Sequence, residues 1–118
     1  MQGSRERRSS PRSAIHCILF VNRLSSRRSP MITVTRSLGL GGCVFPSERR
    51  LGIGTLLSLS IVLGRCDART TAQVVHECPA DRGGFEVEVE FLSAASNDRA
   101  ALKSRLLWSA FLEAHQGA

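Results

Sequence analysis

Apolar and acidic side chains alternate through residues 85–91. The apolar members are Phe85, Val87, Val89 and Phe91, and the three positions between them are glutamates. Because successive side chains of a β-strand point to opposite faces, this alternation predicts a strand with one apolar face and one solvated acidic face. The preceding residues 79–84 contain two adjacent glycines and are typical of a turn. With a second predicted strand over 70–78, the pattern predicts a β-hairpin at 70–92.

A helix is predicted at the C-terminal end of the chain, over residues 98–115. Ser96 or Asn97 can cap it, and Asp98 suits its first turn because acidic groups are favourable at a helix N-terminus. Its apolar residues spread widely around the circumference, so the helix needs more cover than one hairpin provides. The predicted fold class is a small, partly disordered α+β chain, with a C-terminal hairpin and a terminal helix behind a basic N-terminal half of low order.

The first fifty residues form a basic leader that is rich in arginine and serine. They contain ten arginines and two acidic residues, whereas residues 51–118 contain six basic and eight acidic residues. The opening residues 1–13 hold too few apolar side chains to offset the entropy of ordering. We therefore expect a largely disordered or targeting leader at 1–50, an apolar signal-like segment at 51–68, and a small α+β segment at 69–118.

Arginine is the dominant basic residue, with fifteen arginines against a single lysine. Because the guanidinium group binds phosphate through both of its arms, the leader is a candidate for sequence-independent contact with nucleic acid. The candidate phosphate contacts are Arg7, Arg8, Arg27 and Arg28. A GC-rich coding sequence produces the same bias without selection for phosphate binding, so a reading frame without a selected function is a further alternative.

Residues 51–64 form an uncharged apolar run that follows Arg49 and Arg50. A helix of this length would span about 21 Å, which is too short for a hydrocarbon core of about 30 Å. The length suits the apolar core of a secretory signal, and Cys66 with Ala68 would supply the small residues that a cleavage site requires. The alternative is a buried strand or helix in a small core.

These patterns favour a targeted precursor, exported or imported into an organelle, with a short non-catalytic C-terminal segment. Its expected partners are a membrane or the translocation machinery, and an exported or membrane-associated location is favoured over a mitochondrial or nuclear one. The leader has the composition of an organelle-import segment but lacks the amphipathic helix that such a segment uses. The alternative function is non-specific nucleic-acid binding by an Arg/Ser-rich protein.

No catalytic, metal or cofactor site is predicted. The cysteines at positions 17, 43, 66 and 78 are not spaced as zinc ligands. His76 and Cys78 would share one face of a strand, but the sequence shows no third group to orient them. We therefore expect no enzymatic activity, no cofactor and no small-molecule ligand.

Overall fold

Eight β-strands and one helix make up the computed structural model of the chain, which describes residues 12–26, 28–94 and 96–116. The strands are β1 (Arg12–Ser13), β2 (Ile18–Arg23), β3 (Met31–Val34), β4 (Ser37–Gly39), β5 (Gly42–Ser47), β6 (Leu56–Val62), β7 (Asp67–Pro79) and β8 (Phe85–Ala94), and the helix is α1 (Ser96–Gln116). All neighbouring strands are antiparallel, in the spatial order β1-β4-β5-β8-β7-β6-β2-β3.

The sheet curls until strands from distant positions in this order meet. Thr33 on the edge strand β3 donates its hydroxyl hydrogen to the carbonyl oxygen of Pro46 on β5, at 2.8 Å. Beside this closure the backbone N–H of Thr35 donates to the carbonyl oxygen of Cys17, also at 2.8 Å. The result is a barrel-like sheet around one core, whose largest buried members include Leu19, Phe45, Leu59, Ile61 and Val87.

The fold class predicted from the sequence is wrong, because the basic N-terminal half supplies strands to the same sheet as the C-terminal half. Strand β5 pairs with β8 from Gly42 opposite Glu90 to Ser47 opposite Phe85. Strand β2 lies between β3 and β6. The pairings of β5 with β8 and of β2 with β6 join residues more than thirty positions apart. Burial of apolar side chains in this sheet stabilises a half of the chain whose composition alone predicts disorder.

The signal-like interpretation of residues 51–68 is also corrected by the sheet. Half of the apolar run forms β6, in which Leu57, Leu59 and Ile61 are buried while Ser58 is exposed. An uncharged run with this alternation is a strand whose inward side chains belong to the core. Its apolar character therefore follows from packing between β2 and β7 and not from engagement of a membrane.

Strands β7 and β8 form a hairpin that is longer than the predicted one and that lies inside the sheet. The turn between them includes Gly83 and Gly84, whose φ angles of 100° and 72° lie in the left-handed region that glycine adopts without steric cost. Val87 and Val89 are buried in the core. The opposite face of β8 also differs from expectation, since Glu88 is buried instead of solvated.

Helix α1 packs on the sheet through a narrow contact. Leu102 is buried and Leu106 packs beside it, whereas Leu107, Trp108, Phe111 and Leu112 are exposed. This division explains why the apolar residues of the helix do not form one stripe. Among the residues that the structure describes, no helix has the length and apolar character needed to cross a membrane.

Candidate functional site

Arg12 lies where the basic leader joins the sheet. It opens β1 and pairs with Gly39 of β4. Its Nη1 donates to Glu88 Oε2 on β8 at 2.9 Å, and the two side chains are 20% and 10% exposed. A charge-assisted bond of this length holds the guanidinium in place because Glu88 is itself fixed in a central strand. One edge of the guanidinium is thereby anchored at the end of β5.

The segment 39–42 crosses beneath Arg12 with three glycines in four positions. A Cβ atom on Gly42 would overlap the carbonyl oxygen of Val89 and would lie 2.8 Å from Arg12 Nη2. The carbonyl oxygen of Gly41 accepts a hydrogen bond from Phe91 N at 2.8 Å. Glycine is therefore required for backbone, guanidinium and β8 to approach one another this closely.

Thr35 fixes the chain on the other side of this segment. Its buried hydroxyl donates to the carbonyl oxygen of Ile15 at 2.6 Å and accepts from Cys17 N at 2.8 Å. His16 Nδ1 lies 2.9 Å from the carbonyl oxygen of Thr35 and donates to it. These bonds hold residues 14–17 against the residue pair that leads into β4, and they thereby fix the positions of Arg36 and Ser37 relative to the core.

A second arginine covers the acidic face of β8 beside the first. Arg36 Nε lies 3.2 Å from Glu86 Oε2, in a more exposed pair than that of Arg12 with Glu88. Glu86 and Glu88 are two residues apart on one strand, so their side chains share a face at a spacing of about 7 Å. The two guanidinium groups are thus held along one ridge. A ridge of this kind can contact two anionic groups of one ligand.

A small cleft continues the site toward the helix. It has a volume of about 150 Å³ and is bounded by Leu40 and Gly41, by residues 91–93 of β8, and by Arg99 and Leu102 of α1. The glycine segment and the helix therefore meet at this cleft, and Arg12 lies beside Gly42 at the end of the segment. This arrangement provides cationic and backbone groups for binding a ligand.

The buried thiols near this site are poor nucleophiles. Burial raises the pKa of the Cys43 thiol to about 12, and the nearby positive charge of Arg12 opposes this shift only in part. Burial also raises the pKa of Cys17, against the smaller opposing effect of Arg105. Since the thiolate is the reactive form, both groups stay protonated at neutral pH. Among the described residues, no cluster of three or more potential ligands could hold a metal ion.

The candidate residues from the sequence are dispersed in the structure. Arg7, Arg8 and Arg27 lie outside the described residues, and Arg28 is exposed in the connection between β2 and β3. Cys66 is exposed before β7, whereas Ala68 is buried within that strand.

Two features of the site are not among the candidate residues from the sequence, namely Arg12 and the glycine segment 39–42. Their signal in the sequence is an arginine shortly before an apolar stretch and three clustered glycines. Such clusters can mark a close approach of backbone groups.

Comparison with known proteins places this architecture in a known group. A family model described as the PilZ domain matches residues 6–108. The inhibitor of motility MotI/DgrA from Bacillus subtilis matches with a TM-score of 0.72 and 15% identity, over 86% of this chain and 51% of that chain. The PilZ domain of YcgR from Escherichia coli, solved with c-di-GMP, matches with a TM-score of 0.65 and 16% identity, over 94% of this chain and 96% of that chain.

The K. pneumonia MrkH–c-di-GMP complex matches with a TM-score of 0.68 and 14% identity, over 93% of this chain and 54% of that chain. This chain therefore spans about half the length of MotI/DgrA and of MrkH. A search of curated proteins found no match.

These findings overturn the functions expected from the sequence. An exported precursor and a non-specific nucleic-acid-binding protein are both wrong, because the family match runs through the leader and the signal-like segment alike. The expectation of no small-molecule ligand is wrong as well, since members of this family are solved with c-di-GMP. With 6–108 matched, the chain belongs to the PilZ domain family.

Proposed function

We propose that this chain is a non-catalytic effector domain that binds c-di-GMP at the arginine ridge and the glycine segment 39–42. The observation that carries the proposal is the family match over 6–108, joined to the position of Arg12 at the mouth of the site. The PilZ domain of YcgR, which matches nearly end to end, supports this ligand because its structure contains c-di-GMP.

The chemistry of the ligand suits the groups at the site. A cyclic dinucleotide of guanosine carries two phosphates and two guanine bases. Arginine forms bidentate hydrogen bonds with phosphate oxygens and with the O6 and N7 atoms of guanine, so one residue type can recognise both the phosphates and the bases. Arg12 and Arg36 present two such groups on one face. The three glycines of segment 39–42 carry no side chains, so a planar base can lie directly against the backbone there.

The leader supplies further cations in this proposal. Arg7 and Arg8 precede Arg12 by five and four residues, a separation short enough for their side chains to reach a ligand bound at Arg12. We therefore assign them as phosphate contacts, which retains the prediction of phosphate binding but replaces nucleic acid with a small dianionic ligand. Charge-assisted hydrogen bonds from these arginines to the phosphates would add to the binding provided by Arg12.

The proposed role is binding without chemical conversion of the ligand. Cys17 and Cys43 support this because their raised pKa values keep both thiols protonated at neutral pH. His76, the base considered in the sequence analysis, is exposed on β7. Binding that moves the arginines of the leader is sufficient for an effector, because a ligand shifts a conformational equilibrium by its difference in affinity for the two states.

Calorimetric titration of the full chain with c-di-GMP tests the proposal. We expect saturable binding that Arg8→Ala weakens by at least about tenfold, which corresponds to about 1.4 kcal/mol. Arg65→Ala is the matched control, because Arg65 is exposed in the turn between β6 and β7. GMP should bind more weakly because it has one phosphate and one base. A folded wild-type chain that gives no saturable signal, or equal effects of both substitutions, would contradict the proposal.

A further inference from the structure

A second arginine cluster lies at the opposite end of the barrel. The connection between β2 and β3 and the segment after β5 together enclose a cleft of about 480 Å³. Four arginines line it, namely Arg23, Arg28, Arg49 and Arg50, with Glu48 as the acidic member of the lining. The structure thus brings Arg28 together with Arg49 and Arg50, which are about twenty residues later in the sequence.

Two of these arginines are anchored to the barrel. Arg23 Nη2 donates to the carbonyl oxygen of Leu51 at 3.3 Å. The guanidinium of Arg50 lies 4.8 Å from the ring centroid of Phe85, and its Nη1 lies 3.9 Å from Glu77 Oε1. Stacking on an aromatic face holds a guanidinium while leaving its N–H edge available to a ligand.

The loop that carries Arg49 and Arg50 is held by a buried carboxylate. The Glu77 side chain is 1% exposed and accepts hydrogen bonds from Leu51 N at 2.6 Å and from Gly52 N at 3.1 Å. Because these are charge-assisted bonds to backbone donors, they fix the direction in which the loop leaves the sheet. The backbone that carries Arg49 and Arg50 is therefore held in a fixed position on this side of the cleft.

The other two arginines are held through their backbones. Within the part of the chain that the structure describes, Arg28 and Arg49 bond to serine hydroxyl groups through their backbones, and neither guanidinium group has a salt bridge or a hydrogen bond. Four positive charges around one cleft repel one another and concentrate a positive potential in it. An anion in the cleft would relieve this repulsion and would supply acceptors for both free guanidinium groups.

The two sites are separated by the length of strand β5. Gly42 at one end of the strand contacts Arg12, and Arg49 follows Ser47 at the other end. Five residues of strand span roughly 17 Å, which is too far for one phosphate to contact both arginines. The cleft is therefore separate from Arg12 and from the glycine segment 39–42.

We propose that this cleft is a second anion site that binds the phosphate group of an organic phosphate. Arg28 and Arg49 hold the phosphate oxygens, and Arg50 adds a third cation from its stacked position. The partly buried Met31 and Leu51 line the same cleft and accept an apolar or aromatic part of the ligand. A volume of about 480 Å³ is in the range of small-molecule sites.

The test is an NMR titration of the full chain that follows the Nε–Hε signals of arginine, at constant ionic strength. The probes are inorganic phosphate, phenyl phosphate and vesicles of phosphatidylcholine with phosphatidylglycerol. We expect saturable shifts at Arg28 and Arg49, with phenyl phosphate binding more tightly than inorganic phosphate. Saturation of the first site with c-di-GMP should leave these shifts unchanged. Binding to the vesicles alone would identify a lipid headgroup as the source of the same phosphate chemistry.

Substitutions make the result specific to the cleft. Arg28→Gln and Arg49→Gln should each weaken binding of phenyl phosphate by about tenfold, whereas Arg65→Gln should leave it unchanged. Shifts of the same size with added chloride, equal loss in Arg65→Gln, or displacement of the probe by c-di-GMP would overturn the second site. A chain that binds phenyl phosphate here but does not bind c-di-GMP would refute only the function proposed for the first site.

Discussion

Gly42 on β5 lies so close to Val89 on β8 that a Cβ atom at position 42 would overlap the Val89 carbonyl oxygen. Gly42→Ala must therefore separate two central strands or distort their register. We expect a loss of more than about 2 kcal/mol in the free energy of unfolding, as for other substitutions that overfill a packed site. Urea unfolding of the variant and the wild-type chain measures this loss.

Gly54→Ala is the control for the backbone. Gly54 has a φ angle of 92°, but no atom would lie within 4 Å of an added Cβ. Its substitution should lower the free energy of unfolding only by the strain of the left-handed conformation, about 1 kcal/mol. If the two alanine variants were equally stable, the close approach at Gly42 would not be a constraint on the fold.

The second prediction concerns the coupling between Arg12 and Glu88. Removing one partner leaves a mostly buried charge without its counterion, so Arg12→Ala and Glu88→Ala should each lower the free energy of unfolding by about 1–3 kcal/mol. The double variant should lose about 1–2 kcal/mol less than the two single variants together. A double-mutant cycle on unfolding free energies gives this coupling directly.

The pair of Arg36 with Glu86 is the internal comparison. Its side chains are 57% and 45% exposed, so solvent screens the interaction. The same cycle at this pair should give a coupling below about 0.5 kcal/mol. Equal coupling at both pairs would mean that burial does not distinguish Arg12, and would remove the reason for regarding it as the fixed member of the ridge.

Local patterns in the sequence are sufficient to locate single strands but not their partners. The alternation at 85–91 is a property of adjacent residues, and β8 occupies Phe85–Ala94. The partner of β8 on one side is β5, more than thirty residues earlier and with a proline within it. Nothing in the sequence of either strand specifies that pairing, because the interaction exists only after the chain has folded.

The candidate site was less predictable for the same physical reason. Arg12 and Glu88 are 76 residues apart, and their pairing depends on β4 and β5 lying between their strands. The arginine composition did indicate phosphate chemistry. It could not separate the end of the barrel that carries Arg12 from the end that carries Arg28, since both belong to similar Arg/Ser-rich stretches.

A third prediction follows from the buried Cys43 thiol. Its pKa is raised by burial from an ordinary value of 9.0 to about 12 in the folded chain. A raised folded pKa means that the unfolded chain loses this proton more readily, so stability is retained below pH 9 and falls as the pH rises toward 12. Cys43→Ala should be less stable overall, but its stability should decline less steeply between pH 9 and 11.

Thiol labelling provides a second readout of the same burial. At pH 8 an alkylating reagent should modify the exposed Cys66 in the folded chain, whereas Cys43 should react only after unfolding. Mass spectrometry of digested samples can assign each modified position. Rapid labelling of Cys43 in the native chain would show that the core around β5 opens readily, and the predicted pH dependence would then not apply.

The last prediction separates the two faces of helix α1. Leu102 is 1% exposed and is the side chain that anchors the helix on the sheet, whereas Leu107, one and a half turns later, is 61% exposed. Leu102→Ala should lower the free energy of unfolding by about 2–4 kcal/mol, because it removes buried apolar contacts and leaves a cavity. Leu107→Ala should change it by less than about 0.5 kcal/mol, as expected for a surface position.

Two probes measure these effects. Trp108 lies on the exposed face, stacked on Phe111 with ring centroids 5.4 Å apart, so its fluorescence reports on the helix. Circular dichroism during denaturant unfolding reports on the whole chain. In Leu102→Ala the fluorescence transition should move to lower denaturant concentration than the transition of the sheet, because the helix has lost its main contact. Coincident transitions together with an equal loss for Leu107→Ala would show that the exposed face contributes to stability as much as the buried one, contrary to the packing described for Leu102.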